Sequence, residues 1–293
     1  MTESATASSS AESNRLVVGA LVFNAALFCV AAFVFYTTGS QLVLAQGSDS
    51  LLDIGVGVIL ALSIRVGRMP RDKNHPYGHD RAEPIGALVA AVLAGVLAFE
   101  VFRSAVQALI TGELATLDAS IAWILGGKLV FKFAIMLLIL PASRRSRSSA
   151  LEALKTDTRN DLVACASSLV GFGIARAGFV QADAVLALPV AFYIGKNGFD
   201  LARENLRYLM GEAPDSKVIE ELVRLGTAIA GVIELGALKA HYVGPILHVE
   251  VDIQIKDINS AADAHDISVA VQRALEAHEL VGKVFVHVDV LEP

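Results

Sequence analysis

A chain with repeated apolar runs of about 20 residues must fold around lipid, because a helix of that length crosses the hydrocarbon core with its backbone hydrogen bonds satisfied internally. Leu16 to Tyr36 is such a run, with Asn24 as its main polar interruption. Five more follow at about residues 40–67, 84–111, 117–141, 150–178 and 183–206. The second and fifth carry carboxylates, so hydropathy alone ranks them weakest. The 54% apolar and 18% charged composition of the 293 residues fits a membrane chain, and no basic surface for nucleic acid is present.

Short-loop lysines and arginines set orientation, since they are retained on the cytoplasmic side. Arg65, Arg68, Arg71, Lys73 and Arg81 cluster between the second and third runs, and Arg144, Arg145 and Arg147 between the fourth and fifth. Loops 37–47 and 112–118 hold no Lys or Arg, and the last, near 176–182, holds Arg176 alone. Six crossings with both termini in the cytoplasm follow, and the expected location is a bacterial inner (plasma) membrane. Residues 1–14, rich in Ser, Ala, Thr and Glu and lacking a basic n-region, read as a disordered N-terminal tail and not a signal peptide. Cys29 and Cys165 lie in apolar stretches without disulfide or thiolate-site spacing and read as packing residues.

Residues 15–210 are thus predicted to form a six-helix transmembrane domain. After Met210 the chain becomes too polar to cross a bilayer. Asp215 to Ala230 has helical spacing, Glu234 to Tyr242 and Leu247 to Ile255 alternate as strands around Gly244-Pro245, 261–278 is a second helix, and Lys283 to Val290 a third strand. The order αββαβ over 211–293 implies a small α/β sandwich of ferredoxin-like or metallochaperone-like type.

Asp49 and Asp53 are four apart in the second run, and Asp157 and Asp161 four apart in the fifth. Each pair shares one helix face, a turn apart. A carboxylate near the bilayer centre costs several kcal/mol on insertion scales, so four are not held there uncompensated. A divalent cation compensates them, and an all-oxygen donor set suits Mn²⁺, Fe²⁺ or Mg²⁺ better than softer metals. The bland alternative is helix-end capping or pairing with Arg and Lys. Its sharpest form uses Lys128 and Lys132, four apart in the fourth run, which could neutralise the aspartates, pair with Glu100, or snorkel. Asp183 opens the sixth run either as a helix cap or as a ligand.

These residues resemble the cation diffusion facilitators, homodimeric six-span transporters with a cytoplasmic αββαβ domain, and the resemblance covers nearly the whole chain. Asp49-Ser-Leu-Leu-Asp53 looks like the family's second-span metal pair. Asp157-Thr-Arg-Asn-Asp161 is similar to the fifth-span motif of the manganese branch, where zinc members place a histidine at the first position. Glu83-Pro-Ile-Gly86 and Gly127-Lys128-Leu129 echo the same branch. Thr158 departs from it, standing where manganese members often carry histidine.

The loop between the second and third spans reads Asp72-Lys-Asn-His75-Pro-Tyr-Gly-His79. By spacing it is either a solvated turn or an Asp-His-His ligand set with room for water; the resemblance implies a metal site at Asp72, His75 and His79. In the C-terminal domain the resemblance implies a regulatory site at Asp252, His265, His287 and Asp289, although Gly236 stands near the place where zinc members keep a further histidine.

The reading is therefore a divalent cation efflux transporter, Mn²⁺/H⁺ antiport by alternating access, with the bilayer, protons and a second copy of the chain as partners. Fe²⁺, Zn²⁺, Co²⁺ or Cd²⁺ export is the alternative within the family, and metal also serves as a regulatory ligand. A membrane-anchored metal sensor or storage scaffold is the alternative of another class. No HExxH motif or paired nucleophile and base supports an enzyme.

Overall fold

The computed structural model describes residues 2–38, 41–112, 119–145, 148–179, 181–255 and 260–290. The side chain of Asp49, one of the four aspartates, lies outside the described residues. The chain divides into two compact units, Met1–Asn205 and Leu206–Pro293.

Six long helices precede the C-terminal unit: α1 (Thr2–Thr38), α2 (Gln41–Gly67), α3 (Ala82–Thr111), α4 (Ala119–Arg145), α5 (Ser149–Arg176) and α6 (Ala182–Met210). They coincide with the six apolar runs. Stretches of α2, α3 and α4 are long and apolar enough to cross a membrane by composition alone. In α5 and α6 the polar residues of the sequence dilute that signal.

Two boundaries differ from expectation. The segment read as a disordered tail is helical backbone, with α1 starting at Thr2. Ala5, Ala7, Ala11, Glu3 and Glu12 are strong helix formers, and no Gly or Pro interrupts them before Gly19, so the apolar helix propagates backward. At the other end of the unit's loops, α4 continues through Pro141 to Arg145. The ring removes one backbone donor, which a long helix tolerates near its end.

The interior of the first unit is built from small and branched residues, including Leu60, Ile64, Ala87, Ala91, Ala150, Leu151 and Leu154. Small residues let helix backbones approach, the main source of association where lipid removes the hydrophobic drive. Gly86 shows the limit: a Cβ there would lie 2.5 Å from Ser63 Oγ, so α2 and α3 meet at a notch that only glycine leaves open. Outward, Val92, Val96, Phe99, Trp123, Val130, Phe133 and Phe192 are all more than half exposed. Such a surface is an aggregation hazard in water and the ordinary exterior of a helix bundle in lipid.

The second unit contains α7 (Ser216–Thr227), β1 (Val232–Val243), β2 (Ile246–Ile255), α8 (Ala261–Glu276) and β3 (Val281–Val290). The sheet order is β1-β2-β3, with β1 and β2 antiparallel and β2 and β3 parallel. Gly244 at φ +64° supplies the left-handed turn of the β1–β2 hairpin. Leu247, Val249, Val251, Ile253 and Ile255 alternate onto one face and pack with Leu222, Val271 and Leu275 from the helices. Full burial of each Val, Leu or Ile contributes roughly 1.5–3 kcal/mol. The expected αββαβ order is present.

Candidate metal sites

Asp53 projects from α2, and Asp157 and Asp161 from α5, to one place. Each offers a carboxylate oxygen, and these atoms all lie within 4.8 Å of one another. Helical spacing puts Asp157 and Asp161 on one face of α5, and the packing of α2 against α5 through Val56, Leu60, Leu154 and their neighbours turns that face toward Asp53. A dication shared among such oxygens replaces the repulsion of like charges with coordination.

Two buried lysines of α4 enter the same cluster. Lys132 Nζ lies 3.1 Å from Asp53 Oδ2 and also forms an ion pair with Asp161 Oδ2; Lys128 Nζ stands 3.9 Å from Asp53 Oδ2. Their side chains are 7% and 3% exposed for Lys128 and Lys132. Of the three fates open to these lysines, the neutralising one is therefore adopted. Glu100 is paired instead with Arg103, whose Nε donates to Glu100 Oε2 at 3.0 Å.

Three supports of this cluster were not singled out from sequence. Asn197 of α6 donates from Nδ2 to Asn160 Oδ1 at 2.7 Å, both side chains buried, which fixes the turn of α5 that carries Asp161. Ser148 caps α5, accepting from the Leu151 N–H at 3.3 Å. Its hydroxyl in turn donates to Glu83 Oε2 at 2.5 Å, tying the start of α3 to the start of α5. A polar Asn197 inside an apolar run was the available signal. Its partner was not readable, because helical spacing gives a face and not the neighbour that the face meets. Asp183 falls in the first turn of α6 and packs on α5, where a Cβ on Gly171 would meet its Cα at 2.8 Å.

Asp72, His75 and His79 also converge, with ligand atoms within 4.8 Å of one another. The turn organises itself: the backbone N–H groups of Asn74 and His75 donate to Asp72 Oδ1 at 2.8 and 2.6 Å, the geometry of an Asx turn. These bonds, led by the His75 N–H, hold the Asp72 carboxyl below its ordinary range. His79 Nδ1 faces the Met69 carbonyl at 3.2 Å, which can only accept, so that contact is a hydrogen bond with the proton on Nδ1. His79 Nε2 stands 3.5 Å from Asp72 Oδ2, an approach that a cation, metal or proton, between the two makes favourable. Nearby, burial pushes the Asp80 carboxyl up despite the opposing Arg71 guanidinium.

Among the described residues these two trios are the groups of metal-ligand type, and Asp252, His265, His287 and Asp289 do not form a third. Asp252 and His287 are register partners on β2 and β3, and His287 Nε2 lies 3.3 Å from Asp289 Oδ1. His265 stands apart. It precedes the core residue Ile267 by two positions on α8, which turns it about 200° away from the sheet, and its neighbour is Asp266 at 3.5 Å. Glu212 pairs with Arg207 Nε at 2.9 Å.

Residues 17–210 match the cation efflux transmembrane domain, about two-thirds of the chain. The chain belongs to the cation efflux family. Residues 214–290 match the cytoplasmic domain of cation efflux proteins. An uncharacterized transporter of Methanocaldococcus jannaschii is 30% identical over 281 residues, spanning 96% of this chain and 99% of that protein. The manganese efflux system protein of Bacillus subtilis strain 168 is 27% identical over 277 residues, spanning 94% of this chain and 95% of its own length. A cation-efflux pump of Escherichia coli K12 is 26% identical over 282 residues, covering 94% of this chain and 92% of that protein. This cation efflux protein is accordingly an integral membrane transporter of divalent metal and not an enzyme.

Proposed function

We propose that the transporter exports Mn²⁺ in exchange for protons, by alternating access to the site formed by Asp49, Asp53, Asp157 and Asp161. The observation that carries this is the meeting of carboxylates from two separate spans inside the bundle. Hard oxygen donors without histidine or thiolate favour Mn²⁺ among transition dications, and the likeness to a manganese efflux protein supports the same choice. Clustered carboxylates bind protons when metal leaves and release them when it returns, so metal and proton compete for the same oxygens. Movement of helix bundles about the fixed site then opens it to one side at a time.

Both termini lie in the cytoplasm on this reading, in a bacterial inner membrane. Two copies associate, with the C-terminal units at the contact. Asp72, His75 and His79 form a weaker accessory metal site on the cytoplasmic side, and Asp252, His265, His287 and Asp289 belong to a regulatory site completed differently, since His265 stands apart from the rest within one chain. The imidazole donors of the loop, His75 and His79, favour a second reading, export of Fe²⁺ or Zn²⁺.

Competitive uptake into proteoliposomes tests the assignment. Wild type should take up Mn²⁺ ahead of Zn²⁺, and Asp157→His should admit Zn²⁺. A wild type that already prefers Zn²⁺ overturns the manganese reading, and an Mn²⁺ flux indifferent to an imposed pH gradient overturns proton coupling.

A further inference from the structure

Charge compensation at the intramembrane site is unusual in one respect: part of it comes from the chain itself. Lys132 bridges the two helices that the metal is to bridge, since its ammonium lies 3.1 Å from Asp53 Oδ2 of α2 and pairs with Asp161 Oδ2 of α5. An ammonium held by two carboxylates and a dication held by the same two differ little in position. Metal–oxygen bonds of about 2.0–2.3 Å to those oxygens would set the ion well inside contact distance of Nζ. The two cations therefore exclude each other from those oxygens.

Burial forbids a simple alternative in which Lys132 is a bystander. At 3% side-chain exposure it has no water to turn to, and a lone buried ammonium is costly enough that it keeps an anionic partner. Lys128 stands one turn away, 3.9 Å from Asp53 Oδ2, near enough to hold that carboxylate's charge when Lys132 moves. Two ammonium groups against the three described aspartates of the cluster leave one formal negative charge, so the lysines do not fully replace a cation there. The stem of Lys132, four methylenes on α4, gives the reach to shift toward Asp157, the third carboxylate of the cluster, so that the ammonium keeps an anionic partner.

We propose that Lys132 is a tethered rival of the transported metal: it holds Asp53 and Asp161 together between transport events, yields them when the dication enters, and displaces it on the releasing side. Lys128 is the positioning residue that shares Asp53 during the exchange. The inference rests on the aspartate site binding metal. It adds that affinity is set deliberately low by an internal competitor, so that release does not depend on protons alone.

The test is Mn²⁺ binding to the purified full-length transporter, with flux measured in proteoliposomes. Lys132→Met should bind Mn²⁺ at least 10-fold more tightly than wild type and turn over more slowly, because release loses its competitor; Lys132→Arg should stay near wild type. A folded Lys132→Met whose Mn²⁺ affinity is unchanged or weaker overturns the proposal. A measurement on wild type covers the case in which that variant does not fold: with ¹⁵N-labelled lysines, adding Zn²⁺ as a diamagnetic probe should shift the Lys132 ammonium resonance while the exposed Lys196 keeps its own. A Lys132 signal unmoved at saturating Zn²⁺ likewise overturns it. Asp157→Asn separates the two levels. If it binds and transports Mn²⁺ like wild type, the aspartate site itself is wrong; if it loses Mn²⁺ while the lysine outcomes are negative, only the tethered competitor is wrong.

Discussion

The intramembrane cluster and the loop trio use the same kind of ligand and solve opposite problems. In the bundle, water is scarce and three carboxylates gather within 4.8 Å, so compensation has to be built in, and α4 delivers it as two buried lysines. In the loop, solvent screens part of the charge; the work is to hold the segment in one shape, and Asp72 does so with bonds to its own turn. A partner of the first site is a distant residue on another helix. A partner of the second is three residues away.

The largest test of that contrast removes one carboxylate from the bundle. Asp161→Ala should abolish Mn²⁺ flux and lower thermal stability together, since stripping one partner from a buried ion pair costs about 3–5 kcal/mol. A variant that loses flux at unchanged melting temperature would show that Lys132 does not depend on it. Next comes the support behind the cluster: Asn197→Ala leaves the buried Asn160 carbonyl without its donor, a stability cost of about 1–3 kcal/mol, and proteoliposome flux should fall while staying above that of Asp161→Ala. Unchanged flux would make the Asn160–Asn197 bond incidental to Asp161.

A smaller effect is expected at the loop. His79→Ala should remove one metal equivalent from the full-length protein, counted by equilibrium dialysis, while maximal flux changes by only a few-fold. A loss as deep as that of Asp161→Ala would erase the distinction between the sites. The smallest effect concerns acid. The folded Asp72 carboxyl lies below the ordinary value of 3.8, so its contribution to the turn is complete above 3.8 and is lost only as pH falls through the lower folded value. Asp80, pushed up by burial, should take its proton first on acidification. Carboxyl ¹³C titration reads the order, and Asp72 titrating before Asp80 would break it.

How much the sequence revealed follows the same division. Strands at 234–242, 247–255 and 283–290 were readable within about two residues because alternation in a sheet with one buried face is local, and the observed β1, β2 and β3 run 232–243, 246–255 and 281–290. Spacing left Asp72, His75 and His79 open between a solvated turn and a ligand set, and the structure brings their ligand atoms within 4.8 Å of one another. The intramembrane residues were legible as helix faces, and so was the presence of Lys128 and Lys132. Which of three fates those lysines would adopt was not, since helix order within a bundle decides whether α4 faces α2 and α5 or lipid. The helical start at Thr2 is not legible in the sequence, because a polar segment low in aromatic residues reads as disorder unless the helix it extends is considered with it. His265 was grouped with His287 by resemblance, and its place on α8 follows from the Ile267 side of that helix facing the core.

The notch at Gly86 couples these regions mechanically. With Ser63 seated where a Cβ would otherwise stand, α2 and α3 cannot slide along each other without first separating. If the pair moves as one in the proposed cycle, the short connection carrying Asp72, His75 and His79 moves with it. A spectroscopic label placed on that connection would then report the proposed cycle at Asp53 with no probe inside the bundle.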